Sequence, residues 1–220
     1  MLRYHEITAA ESDDFDWPDI DENSAAAMCY TSGTTGHPKG VVYGHRSSYL
    51  HSMAVCGGNG LGGLSFSDKA LPIVPMFHAN AWGGLPYAAL MAGADLVLPD
   101  RFMDAERVVD LIETQRPTVA GAVPTIWNDV MHHLERNPPG HDISSLRLVA
   151  CGGSAVPVSL MKEFEEKFSV QIRQLWGMTE TSPPVATLAW PPPDTPPEDR
   201  QWQIRATQGR PVCGVEARIV

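Results

Sequence analysis

Tyr30-Thr31-Ser32-Gly33-Thr34-Thr35-Gly36-His37-Pro38-Lys39-Gly40 is a short run of hydroxyls and glycines closed by one lysine. Glycines let the backbone turn tightly enough for several N–H groups to face one anion. The hydroxyls add donors, and Lys39 adds a mobile positive charge. The run reads as a loop that holds a polyphosphate, with a polar hairpin turn as the alternative on composition alone. It is not a Walker A loop, because no Gly-Lys-Ser or Gly-Lys-Thr follows at the required spacing. It comes directly after an apolar, strand-like run, Ala26 to Tyr30.

Outward from that loop, strand-like runs recur at Leu71–Val74, Leu96–Leu98, Val119–Val123, Leu146–Cys151 and Val170–Leu175. Helical patterns lie between several of them. Leu160, Phe164 and Phe168 repeat every four residues from Pro157 to Phe168, and Ile126, Val130 and Leu134 do so from Thr125 to Glu135. A third pattern, Asp104 to Gln115, opens on an N-cap candidate. Such alternation predicts α/β layers, with largely parallel sheets and flanking helices and with ligands beyond the carboxyl ends of the strands. Residues 1–24 read as an acidic linker, since Glu11, Asp13, Asp14, Asp16, Asp19, Asp21 and Glu22 repel one another and lack EF-hand spacing. Trp190–Asp199 holds five prolines and is expected to be a surface loop, and Gly214–Val220 alternates like a strand.

The chain has 220 residues, 43% hydrophobic and 19% charged, with a formal net charge of -10. This is an ordinary globular composition, and it argues against a nucleic-acid surface. No apolar run reaches membrane-spanning length, and Met1-Leu2-Arg3-Tyr4-His5 lacks the apolar stretch of a signal peptide. The four cysteines, Cys29, Cys56, Cys151 and Cys213, form no CxxC pair and read as reduced residues of a cytoplasmic protein.

Three further strings carry chemistry. In Gln174-Leu175-Trp176-Gly177-Met178-Thr179-Glu180-Thr181-Ser182, Trp176 offers a flat face for a purine, Thr179 can donate to a phosphate and Glu180 can hold a divalent cation. The alternative is a turn with an exposed acid and a packed tryptophan. Leu148-Val149-Ala150-Cys151-Gly152-Gly153-Ser154-Ala155-Val156-Pro157 is a strand-to-helix turn. It is not a nucleophile elbow, because Val156 stands where Gly-x-Ser-x-Gly needs glycine. Val74-Pro75-Met76-Phe77-His78-Ala79-Asn80-Ala81-Trp82 contains a histidine without the second ligand that zinc requires, and Trp82 reads either as a pocket residue or as core.

In order and spacing these four strings resemble those of the adenylate-forming (AMP-binding) enzymes, and most nearly the bacterial medium- and long-chain fatty acyl-CoA synthetases. The resemblance covers residues 25–220 and implies part of the large N-terminal domain of that fold. It implies adenylation of a fatty acid by ATP with Mg2+, then transfer to coenzyme A; a homodimer is compatible with it. By position, Thr31 and Glu180 would bind magnesium, and Ser32, Gly33, Thr34, Thr35, Gly36 and Lys39 would cradle the β- and γ-phosphates. Gly153, Gln174, Leu175 and Trp176 would border adenine, Thr179 would contact the α-phosphate, and His78, Ala79 and Trp82 would line the acyl pocket. Lys39, His78, Thr179 and Glu180 are the residues the resemblance places at the chemistry. A non-catalytic nucleotide-binding fragment and an aryl or amino-acid adenylating enzyme are the other readings. The family continues past the position of Val220 to a ribose-binding acid, a hinge and a small domain with a catalytic lysine. The 220 residues alone are therefore expected not to complete thioester synthesis.

Overall fold

Strands whose side chains are apolar in both directions need a layer on each face. In the computed structural model, which describes residues 3–9, 11–31, 36–57, 63–137, 140–181, 185–192, 194–196 and 198–218, two such strands form the middle of a sheet. These are β5 (Val119–Ala122) and β6 (Leu148–Cys151), both buried throughout. Around them the order is β4-β3-β5-β6-β7-β8-β9, with β3 at Lys69–Pro72, β4 at Asp95–Leu96, β7 at Gln171–Trp176, β8 at Thr187–Ala189 and β9 at Arg210–Pro211. Pairing from β4 to β7 is parallel, and β8 and β9 add an antiparallel edge. The largely parallel α/β layering therefore stands as read.

Successive residues of a strand serve opposite layers. Ala120, Val149 and Ile172 face helices α5 (Ala105–Gln115), α6 (Pro124–Arg136) and α7 (Val158–Phe168). Val119, Leu148 and Ala150 face α2 (His45–Cys56) and α4 (Leu85–Ala92). Helix α5 starts where expected, with the Asp104 carboxylate accepting from the Arg107 N–H at 3.2 Å. Pro124 opens α6, where a missing N–H costs nothing. Trp127 of α6 is fully buried and meets Phe164 of α7 edge-on, with ring centroids 5.9 Å apart. At the amino ends of β3, β5 and β6, the buried Asp68 accepts from Arg147 Nη2 at 2.9 Å and from Thr118 Oγ1 at 2.7 Å. Burial alone would raise its carboxyl, but these bonds outweigh burial and hold it at about 2.

Several expectations are corrected. The candidate phosphate loop does follow a strand as read, but that strand, β1 (Ala25–Thr31), pairs antiparallel with β2 (Lys39–Gly44) in a sheet of two strands and not with the central sheet. Helix α2 was not foreseen, because His51 and Ser52 are on its inner face and blur the apolar stripe. The proline-rich stretch is not merely a surface loop. Pro191 is buried, Trp190 is stacked under the Arg173 guanidinium at 4.1 Å, and helix α8 (Glu198–Arg205) begins inside it. Gly214–Arg218 is not a strand, and Ile219 and Val220 lie outside the described residues. Cys29 and Cys151 are buried, and burial pushes the Cys151 thiol up to about 12, while Cys213 is exposed. Among the described residues no helix is long and apolar enough to cross a membrane.

Candidate nucleotide and acyl site

The β1–β2 hairpin presents alternate residues inward, and Cys29 and Tyr43 pack there against Ala79 at the start of the short helix α3 (Ala79–Trp82). The Cys29 Sγ lies 3.7 Å from the Phe77 carbonyl oxygen. Tyr43 is fully buried, and its Oη donates to the Thr179 carbonyl at 2.6 Å. Burial, with Cys29 and Glu180 nearby, pushes its phenol up to about 12. Three of the four strings therefore meet: the hairpin carrying Thr31 and Lys39, the His78–Trp82 segment, and the 3-10 turn Thr179–Thr181. That turn is closed on itself, because Thr181 Oγ1 donates to the Met178 carbonyl at 2.8 Å and accepts from the Met178 N–H at 3.0 Å.

The fourth string joins them through a cavity of about 500 Å³ beyond the carboxyl ends of β3, β5, β6 and β7. Gly153, Leu175, Trp176 and His78 line it, as do Gly152 and Gly177. Its inner wall is apolar, built from Val55, Ile73, Leu85, Ile126 and Val185. Two glycines shape the mouth. A side chain at Gly152 would put Cβ 2.8 Å from the Leu175 carbonyl oxygen, and Gly153 has φ +88°, which L side chains rarely adopt.

The remaining expected residues divide. Ser32, Gly33, Thr34 and Thr35 lie outside the described residues. Gly36, Lys39 and Glu180 are exposed, and Thr31 and Thr179 are half-buried. Ala79 and Trp82 do not line the cavity. Trp82 stands between Tyr43 and Tyr87, with ring centroids 5.6 and 5.7 Å away. Gln174 is not at the cavity either: its Oε1 accepts from the Val156 N–H and its Nε2 donates to the Thr207 carbonyl, each at 2.5 Å. Both halves of the amide are thus used in bracing the turn before α7 to the loop after α8. Tyr43, Asn80, Leu85 and Val185 were not singled out from sequence. Only Tyr43 left a signal, its alternate position in a short apolar run.

Thr31 and Glu180 are oxygen donors of the kind a hard divalent cation takes, and Glu180 forms no ion pair among the described residues. Also among those residues, no cluster of three or more His, Cys, Asp or Glu could hold a metal unaided. Their chemistry suits a hard cation that would need further ligands from outside the chain, and does not suit a closed protein cage.

His51 of α2 is buried, and its Nε2 accepts from the Val185 N–H at 3.2 Å. Burial lowers its pKa to about 4. Below pH 6.5 the unfolded chain takes up this proton before the folded one does, so stability should fall as the pH drops from 6.5 to 4 and be complete above that window. The expected loss is about 3 kcal/mol, read as a shift in urea midpoint that His51→Gln flattens.

A family profile described as AMP-binding enzyme matches residues 2–220. The chain is 44% identical over 218 residues to a 3-methylmercaptopropionyl-CoA ligase of Ruegeria lacuscaerulensis, covering 99% of the chain and 40% of that relative. It is also 44% identical over 226 residues to a medium-chain-fatty-acid–CoA ligase of Ectopseudomonas oleovorans, covering all of the chain and again 40% of the relative. The chain thus spans about two fifths of the length of the curated relatives it matches. In three dimensions it is similar to a long-chain-fatty-acid-CoA ligase from Archaeoglobus fulgidus, with TM-score 0.77, 29% identity, and 94% of this chain and 40% of that one covered. Because the profile takes in the hairpin, the cavity and the Thr179–Glu180 turn together, the chain belongs to the AMP-binding enzyme family.

Proposed function

We propose that the full-length protein carrying this chain is an AMP-forming acid–CoA ligase whose acid is an alkyl, fatty-type carboxylate. The cavity carries this reading: an apolar chamber, walled by Val55, Leu85 and Val185, opens beside His78 and the Gly152–Gly153 turn. A carboxylate at the mouth would attack the α-phosphorus of ATP and expel pyrophosphate; the coenzyme A thiolate would then attack the acyl carbon and release AMP. Lys39 and Thr179 would supply donors to the phosphates, and Trp176 would flank the base. Thr31 and Glu180 would hold Mg2+, which when bound offsets phosphate charge. The two 44% relatives, one named for a medium-chain fatty acid and one for a short thioether acid, support an aliphatic substrate.

The test is carboxylate-dependent exchange of labelled pyrophosphate into ATP by the full-length protein, across aliphatic acids of graded length and a set of aryl and amino acids. Exchange with aliphatic acids is expected; exchange with aryl or amino acids alone would overturn the reading. Trp82→Ala is expected to leave the range of chain lengths unchanged, because Trp82 packs between Tyr43 and Tyr87 and not on the cavity wall. It should cost about 2 kcal/mol, less than a fully buried ring, because Trp82 is half-buried. A broadened length profile would return Trp82 to the acyl pocket.

A further inference from the structure

Two places on the wall of the site, the Thr179–Thr181 turn and Val185, are each held by a buried side chain from one stretch of chain, the β2–α2 unit. The Thr179 carbonyl accepts from Tyr43 Oη at 2.6 Å. The Val185 N–H donates to His51 Nε2 at 3.2 Å. The two contacts tie positions 136 and 134 residues apart. Neither is a surface accident, since Tyr43 and His51 are both buried.

We propose that Tyr43 and His51 are positioning residues that act as a two-point clamp, Tyr43 fixing the Thr179–Thr181 turn on the nucleotide side and His51 fixing Val185 on the acyl side. The division follows from what each end carries. The Tyr43 end holds Thr179 and Glu180. The His51 end holds Val185, whose side chain lines the inner wall of the cavity with Val55, one helical turn beyond His51.

The chemistry of His51 sets it apart from packing. An imidazole that accepts at Nε2 carries its hydrogen on Nδ1, and Nδ1 is buried with no hydrogen-bond partner among the described residues. Burying an unpaired donor is unfavourable, and leucine would fill the same space without it. What the histidine adds is an acceptor for one backbone N–H at the cavity wall. Tyr43 follows the same logic, because phenylalanine would pack equally well against Trp82 and Ala79 but would leave the Thr179 carbonyl without this donor.

What the two anchors do for binding rests on the ligase reading, so the experiment has two arms in the full-length protein. The first is amide hydrogen exchange at Thr181 and Val185, which needs no substrate. Tyr43→Phe should speed exchange at Thr181 and His51→Leu at Val185. His51→Gln, which restores a neutral acceptor, should return Val185 towards wild-type protection. The second arm is steady-state kinetics. Tyr43→Phe should raise the KM for ATP by roughly tenfold with a smaller effect on the acid, and His51→Leu should raise the KM for the acid by roughly tenfold with a smaller effect on ATP, with His51→Gln rescuing. Unaltered protection in both variants overturns the clamp. So do faster exchange without the split in KM, and a His51→Gln variant no better than His51→Leu. If the wild type shows no carboxylate-dependent exchange of pyrophosphate, the ligase reading fails by itself, and the first arm alone decides whether the clamp exists.

Discussion

Glu180→Gln in the full-length protein is expected to lower carboxylate-dependent pyrophosphate exchange by roughly a hundredfold or more. The substitution keeps the shape and one oxygen of the side chain but removes the charge. A hard cation bound by few protein ligands depends on each charged one, since phosphates and water cannot replace a fixed anion held in place before the reaction. Glu180 is exposed and makes no ion pair among the described residues, so the loss should not come from unfolding. Stability is expected to stay within about 0.5 kcal/mol of the parent. Raising magnesium should recover part of the rate. Exchange at the parental rate with unchanged magnesium dependence would remove Glu180 from the metal site and leave it as a solvated acid on a turn.

The largest expected effect on folding is at the opposite side of the sheet. Trp127→Ala should destabilise the chain by about 3–5 kcal/mol. Trp127 is fully buried, packs edge-on against Phe164, and belongs to the cluster that joins α6 and α7 to β5 and β6. Set against a typical total of about 5–15 kcal/mol, the loss would be a large share. The indole N–H has no hydrogen-bond partner among the described residues, so Trp127→Phe gives up ring volume but also removes an unpaired donor. It should cost clearly less than alanine. Urea unfolding followed by circular dichroism measures both, and equal losses for the two variants would contradict the packing account.

The parts of the fold visible in the sequence are those fixed by nearest-neighbour periodicity. Runs such as Val119–Val123 and Leu148–Cys151 are apolar on both faces, which a covered parallel strand requires, and α5, α6 and α7 show clean apolar stripes. Helix α2 was hidden because it buries a serine, which bonds back to the Ser48 carbonyl of its own helix, and a histidine whose partner, Val185, is distant in sequence. The same holds at the site. The strings around Thr31, His78, Gly153 and Thr179 could be recognised locally, and His78, Gly153, Leu175 and Trp176 do line one cavity. That Gln174 is a brace, and that Trp82 leans on Tyr43, depends on contacts that no local pattern encodes. Nor does any local pattern separate the hairpin β1–β2 from the central sheet, because an apolar run is equally consistent with either.

The bond from Tyr43 to the Thr179 carbonyl also has a consequence in time. Its partners are 136 residues apart, so during synthesis the hairpin leaves the ribosome long before the segment that completes it. At translation rates of about 5–20 residues per second, the interval is on the order of ten seconds. Through that interval the inward face of the hairpin, with Cys29 and Tyr43, has no Thr179 turn to bind. Under the ligase reading, nucleotide would stabilise only the assembled site and could not help the early chain to fold. The nascent hairpin must therefore persist without that partner, and ATP would act as a folding ligand only once the Thr179 turn and Val185 have emerged.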